Sequence, residues 1–199
     1  AEDAERQIAV LDAAGAVAAD TGPGSFPVSG HLVGEGFSVQ GNMLGGEDVL
    51  PAMARALTTA RGDLPDRLLA ALTAGQDAGG DVRGRQSAAL LVVSGTPATD
   101  EDNGVLMDLR VDDSADPVAQ LRMLRNLQRA YDERDYETLA LFAPEGARDL
   151  YAAMAASQRG NRDAARAALA AMRARPGWSA WLAAMSGDTR LSAVSRLLE

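Results

Sequence analysis

A glycine-rich polar loop followed by an apolar run, residues 75–94, most constrains how this chain can fold. The loop places four glycines among charged side chains, a composition that disfavours the interior of a helix or strand. The small and aliphatic residues of 87–94 predict a fully buried strand after it. Because functional groups are often presented by loops on a rigid scaffold, we expect a site here. Asp81 and Arg85 could instead serve only as an ion pair that closes the loop.

The composition excludes several classes of protein. The chain has 199 residues, 47% hydrophobic and 24% charged, which is typical of one large globular domain or of a domain with a smaller one. A net charge of −9 without a basic stripe argues against nucleic-acid binding. The absence of cysteine excludes disulfides, cysteine zinc sites and a thiol nucleophile. No apolar run approaches the roughly 20 residues that cross a bilayer, so we expect a cytoplasmic protein without membrane contact.

Hydrophobic periodicity predicts an α+β core in residues 1–116. Alternating apolar residues around glycine-containing turns indicate strands, and apolar residues at helical spacing indicate two helices, the second ended by Gly75. The predicted order is three strands, two helices and two strands: 7–11, 16–19, 28–39, 47–60, 64–74, 87–94 and 104–112. The first two strands form a hairpin, and 28–39 forms one irregular strand. This order favours an antiparallel sheet covered by helices.

From residue 117 the composition becomes almost entirely helical. The predicted helices are 117–134, 136–142, 147–157, 162–174, 178–185 and 191–198. Residues 159–181 resemble one tetratricopeptide-like helical hairpin, but a solenoid needs about three units, so a helical extension packed on the core is the simpler prediction. Trp178 and Trp181 fall on one helix face and should pack on a helix of the same chain or of a second subunit. We expect a homodimer, because an incomplete sheet leaves apolar surface to cover.

Most short motifs carry little chemistry. His31, the single histidine, could act as a general base or be a strand histidine held by backbone carbonyls. The chain contains no nucleophile-elbow or phosphate-loop motif, and Gly34-Glu35-Gly36 is only half of a dinucleotide fingerprint. We therefore expect no cofactor. Four carboxylates near residue 112 could hold a hard cation, but a solvated strand end explains them better, so we expect no metal site.

Two polar, glycine-containing loops remain as candidates for binding. They are residues 40–42 and 81–87, which offer amide, guanidinium and backbone N–H groups suited to a carboxylate or amide substrate. We expect the two loops to converge in space. The candidate substrate-binding residues are Gln40, Asn42, Asp81, Arg85, Gln86, Ser87 and His31.

Several ordered motifs resemble a bacterial and archaeal group, domain-of-unknown-function family 1028 (DUF1028). They are Arg6-Gln7, the run from Gly34 to Leu44 that contains Ser38-Val39-Gln40-Gly41-Asn42, Gly75-Gln76, the run from Gly79 to Ala88 that contains Gly84-Arg85-Gln86-Ser87, and the run from Asp108 to Asp113. The resemblance covers about residues 6 to 125. It implies an N-terminal-nucleophile (Ntn) hydrolase-like αββα sandwich of antiparallel sheets.

The same resemblance implies hydrolysis of an amide bond in a small molecule or peptide-like compound. Family members carry their expected nucleophile in a preceding N-terminal portion, and Ala1 has no hydroxyl or thiol that could replace it. The candidate residues would then orient the substrate or stabilise an oxyanion. The alternative is a non-catalytic binding or assembly protein that uses the helical tail as its interaction surface. A Thr, Ser or Cys at the start of the mature chain would favour the enzyme.

Overall fold

The computed structural model describes residues 2–99 and 103–184, which divide into two compact units, residues 1–125 and 126–199. Unit 1 combines strands and helices: β1 Gln7–Leu11, β2 Val17–Thr21, β3 Gly30–Gly34, β4 Phe37–Gly41, α1 Val49–Thr59, α2 Leu64–Asp77, β5 Ala88–Val93 and β6 Val105–Val111. Helix α3, Pro117–Glu133, crosses the division. Unit 2 continues with α4 Tyr136–Phe142, α5 Glu145–Gln158, α6 Arg162–Arg173 and α7 Trp178–Ala184. The protein is therefore α+β, and the predicted domain boundary after residue 116 stays a prediction.

The strands of the described residues form three two-stranded antiparallel sheets, β1–β2, β3–β4 and β5–β6. The predicted first hairpin is confirmed, with Gln7 opposite Thr21 in the register. Asp12 shapes its turn, since its carboxylate accepts hydrogen bonds from the backbone N–H groups of Ala14 and Ala16 at 2.9 and 2.8 Å. The αββα sandwich implied by the resemblance stays a prediction.

The single irregular strand predicted for 28–39 is wrong. This stretch and the residues after it form the hairpin β3–β4, in which Gly34 pairs with Phe37 across a two-residue turn. Gly36 adopts a positive φ of 72°, a conformation that a tight hairpin turn requires and that glycine tolerates. The apolar pattern continues through the turn, which is why periodicity alone did not reveal the reversal.

The sequence predicted that Gly75 ends the second helix. This prediction is wrong, because α2 continues to Asp77. Gly75 is buried where α1 and α2 pack together. A Cβ atom at this position would lie 2.7 Å from Cγ of Met53. The glycine therefore permits the close approach of α1 instead of breaking α2.

The start of α2 is held by a buried arginine. Asp63 caps the helix by accepting a hydrogen bond from the backbone N–H of Asp66 at 3.1 Å. Arg125 of α3, whose side chain is almost fully buried, donates a second hydrogen bond to the Asp63 carboxylate. Burial raises the pKa of Asp63, but the Asp66 N–H and the Arg125 charge lower it more, so the pKa lies below its ordinary value.

Strand β5 is not fully buried, contrary to the sequence prediction. Leu90 packs inward with Leu69, Val111 and Leu121 to form the core of unit 1. Alternate residues of the strand point the other way, and the side chains of the opposite face are exposed: Leu91 at 56% and Val93 at 58%. Among the described residues, helices cover only one face of this sheet, so its strands show period-two burial.

Unit 2 has its own helical core, and the predicted helices agree with α3 to α7 apart from small shifts of their ends. The predicted helix 191–198 lies outside the described residues. Buried side chains of α5, α6 and α7 form the core: Leu150, Ala153, Met154, Leu169, Met172 and Leu182. Trp178 packs against this core and contacts Trp181 edge-to-face with 5.0 Å between ring centroids, which confirms that the two share a helix face. No helix of the described residues is long and apolar enough to cross a membrane.

Two helix connections in unit 2 repeat the same local structure. Arg134 and Gly160 each follow a helix with positive φ, 56° and 72°. The next residues, Asp135 and Asn161, each cap the following helix by accepting a backbone N–H hydrogen bond at 3.1 Å. The left-handed position is therefore occupied by an arginine in the first connection and by a glycine in the second.

Candidate functional site

A cavity of about 670 Å³ lies in unit 1 between the α1–α2 pair, the polar loop 80–87 and the start of α3. Its apolar lining comes mainly from α1, α2, β5 and α3: Val49, Met53, Leu72, Ala88, Ala89, Pro117 and Val118, together with Leu44. Its polar lining comes mainly from the loop: Asp81, Arg83, Arg85, Gln86 and Ser87, together with Gln76 and Asp113. The cavity therefore presents an apolar surface and a charged one to the same ligand, and its volume suits a small organic molecule.

The loop is fixed by backbone pairing with the segment that follows β4. The N–H of Gly45 donates to the carbonyl of Gly80 at 2.8 Å, and the N–H of Val82 donates to the carbonyl of Met43 at 2.9 Å. A Cβ atom on Gly45 would lie only 2.5 Å from the carbonyl oxygen of Gly79. The absence of a side chain thus lets the two segments meet. It is residues 43–45, directly after the predicted loop 40–42, that contact the loop around Asp81, so the predicted convergence of 40–42 with 81–87 stays a prediction.

Asp81 pairs with Arg83. The sequence had suggested Arg85 as its partner. The Asp81 carboxylate accepts hydrogen bonds from the backbone N–H of Arg83 at 2.8 Å and from the guanidinium at 2.9 and 2.6 Å. These hydrogen bonds lower the pKa of Asp81 to about 2. The turn between Asp81 and Gly84, closed by a backbone hydrogen bond of 3.0 Å, brings Arg83 back over the carboxylate and directs Arg85 elsewhere.

Arg85, Gln86 and Ser87 extend along the cavity toward α3. The carbonyl of Gln86 accepts a hydrogen bond from the N–H of Ser114 at 2.8 Å, which holds this segment beside the end of β6. Arg85 lies 3.8 Å from a carboxylate oxygen of Asp116, a loose contact, and 43% of its side chain is exposed. Within the described part of the chain this is the only polar contact of the guanidinium, which keeps donors for a ligand.

Three of the predicted site residues lie outside this cavity. His31 Nδ1 lies 2.9 Å from the hydroxyl of Thr21, which also accepts a hydrogen bond from the side-chain amide of Gln7 at 3.1 Å. Gln40 lies opposite His31 in the β3–β4 register and accepts a hydrogen bond from Ser38 at 2.9 Å, while Asn42 is exposed.

The amide of Gln7 also approaches the carbonyl oxygens of Gly30 and Gly41, both at 3.0 Å. Because Gly30 and Gly41 are paired at the open end of the second hairpin, these contacts from β1 tie the two hairpins together. The cluster of Gln7, Thr21 and His31 is therefore primarily a structural link. Neither Gln7 nor Thr21 was among the predicted site residues: Gln7 entered only through the predicted first strand and the motif Arg6-Gln7, and Thr21 lies beyond the predicted strand 16–19.

Sequence reasoning also missed part of the cavity itself. Arg83 could have been recognised from its position two residues after Asp81, since this spacing suits a side-chain-closed turn. Asp113 and Val118 come from elements that follow the polar loop by almost thirty residues or more, and no local pattern indicates that they reach it. Among residues 2–99 and 103–184, no group of three or more acidic or histidine side chains is placed to hold a metal ion.

Comparison with known proteins agrees with the motifs. The sequence model of the family of unknown function DUF1028 matches residues 1–121. A crystal structure of a DUF1028 protein from Silicibacter pomeroyi is similar, with 33% sequence identity and a TM-score of 0.50. The similarity covers 63% of this chain and 50% of that chain, so this chain spans about half the length of the solved relative. No curated protein matches the sequence. The chain belongs to the DUF1028 family.

Proposed function

We propose that this protein acts as an Ntn-type amidohydrolase and that the cavity of unit 1 binds a small or peptide-like amide substrate. The observation that carries the proposal is the row of Arg85, Gln86 and Ser87 along the polar side of the cavity. A guanidinium, a carboxamide and a hydroxyl together supply the donors that orient a carboxylate or an amide carbonyl. The apolar opposite side excludes water from the rest of the ligand.

The proposed chemistry assigns supporting roles to these side chains. Arg85 would hold the substrate, and Gln86 and Ser87 would donate to its polar atoms. The Asp81–Arg83 pair would fix the shape of the loop. The nucleophile would be an N-terminal Thr, Ser or Cys exposed in the mature enzyme, and the αββα sandwich would be the fold that presents it.

The test is to incubate the full-length native protein with amide and dipeptide compounds, quench with acid, and record the intact mass. A covalent acyl-enzyme, together with product release, is the expected result. Determining the N-terminal sequence of the same sample identifies the nucleophile. A mature N-terminus without a hydroxyl or thiol, and no turnover of any amide, would contradict the hydrolase.

A second candidate function is a non-catalytic assembly protein that forms a homodimer through unit 2. The observation that favours it is the exposure of neighbouring apolar residues on α4, where Leu141 is 76% exposed. Phe142 beside it is also largely exposed. Light scattering of the chain and of Leu141→Ser distinguishes the two: a dimer that dissociates in the variant supports this candidate, and an unchanged mass opposes it.

A further inference from the structure

We propose that the cavity of unit 1 recognises a zwitterionic ligand with an apolar side chain, of the dipeptide class. Arg85 would bind its carboxylate and Asp113 its ammonium group. This inference rests on the proposed function, because it names the substrate class of the same cavity. The supporting observation is that two of the charged side chains in the cavity are paired with each other, whereas Arg85 and Asp113 are not.

Four charged side chains line the cavity, two acidic and two basic. The guanidinium of Arg83 donates two hydrogen bonds to the Asp81 carboxylate, at 2.9 and 2.6 Å, and the backbone N–H of Arg83 donates a third at 2.8 Å. The opposite charges of the two side chains offset each other at this distance, so the pair adds no net charge to the cavity. The pair therefore shapes the site without setting its charge preference.

The other two charges are not neutralised in this way. Arg85 has only its 3.8 Å contact with Asp116 among the described residues, and Asp116 is also engaged by the N–H of Ala119 at the start of α3. Asp113 has no hydrogen bond or ion pair with any residue in the described part of the chain. The cavity thus offers one guanidinium and one carboxylate, and a ligand with both an anionic and a cationic end complements it.

The remaining lining fixes the middle of the ligand. Leu72, Met53 and Val118 contribute apolar surface to the same cavity. Burial of an aliphatic side chain there is favourable because it removes apolar surface from water. A cavity of about 670 Å³ accommodates a dipeptide with such side chains.

The test titrates the full chain with leucyl-leucine by calorimetry and compares three analogues that lack one or both charges. These are N-acetyl-leucyl-leucine, leucyl-leucinamide and N-acetyl-leucyl-leucinamide. Each lost charge should weaken binding at least about tenfold, since a hydrogen bond to a charged group contributes that much or more. Equal affinity for all four compounds, or no binding of leucyl-leucine, would overturn the inference.

Variants assign the two ends. Arg85→Gln should lose the preference for the carboxylate over the carboxamide but keep the preference for the free ammonium, and Asp113→Asn should do the reverse. Arg110→Gln is the matched control, because Arg110 is an exposed arginine paired with Asp108 outside the cavity. If Arg85→Gln retains the full carboxylate preference, the assignment is wrong.

Mass spectrometry of the same compounds after incubation with the full-length native protein separates this inference from the proposed function. Binding that discriminates the charged ends without any hydrolysis supports the inference and opposes the hydrolase. Hydrolysis that proceeds equally well on the capped analogues supports the hydrolase and overturns the zwitterionic ligand.

Discussion

Replacing Gly45 by alanine should separate the two segments that build the cavity. The new Cβ atom would lie 2.5 Å from the backbone oxygen of Gly79, and neither segment can relieve this contact by rotating a side chain. The backbone must shift, which weakens the hydrogen bonds from Gly45 N–H to Gly80 and from Val82 N–H to Met43. Two such bonds contribute about 0.5 to 1.5 kcal/mol each, and forced contacts cost about 1 to 3 kcal/mol.

We therefore expect Gly45→Ala to lower the free energy of unfolding by about 2 to 4 kcal/mol, measured by urea denaturation followed by circular dichroism. Amide hydrogen exchange at Val82 should accelerate in the same variant. Gly46→Ala is the control, because a Cβ atom there meets nothing within 4 Å. It should be neutral or slightly stabilising. Equal stability of the two variants would refute the steric argument.

Three further predictions concern stability. Arg134→Gly should stabilise unit 2 by about 1 kcal/mol in urea denaturation, because it removes the strain of a left-handed arginine. Gly160→Ala should destabilise unit 2 by a similar amount. Stability equal to wild type in either variant would contradict this prediction. Arg125→Ala should cost about 2 kcal/mol by the same assay through a lost charged hydrogen bond and lost packing, and Arg125→Met, which restores the packing, should cost less. The pKa of Asp81 is about 2 against an ordinary 3.8, so its ionised form stabilises the fold above about pH 4, and this contribution is lost as the pH falls through 2. Asp81→Asn should therefore remove that part of the pH dependence of the free energy of unfolding. An unchanged pH profile of unfolding would oppose this prediction.

Local patterns predicted the elements whose signals are themselves local. The first hairpin follows from apolar runs around a turn that Asp12 closes, and the helices of unit 2 follow from their apolar spacing and caps. The prediction at Gly75 was wrong because glycine commonly ends helices. Here the glycine instead makes room for Met53 of another helix. The exposed face of β5 was missed for a similar reason, since burial depends on which layers cover a sheet.

The candidate site was predicted in part for the same physical reason. Arg85 and Gln86 were found because glycine and polar residues cluster around them in the chain. Their partners were not, since Asp113 reaches the cavity only through the β5–β6 pairing that returns the chain to the loop. His31 was a candidate because a single histidine suggests chemistry, and the structure places it outside the cavity, beside Thr21 of the first hairpin.

Nuclear magnetic resonance of the isotope-labelled full chain during titration with leucyl-leucine tests the central claim most directly. The backbone and side-chain signals of Arg85, Gln86 and Asp113 should shift together and saturate with a single dissociation constant, because these residues line one cavity. The signals of His31 and Gln40, which lie outside it, should remain unchanged. Saturable shifts confined to His31 and Gln40, with none at Arg85, would place the binding site in the hairpins and contradict the account.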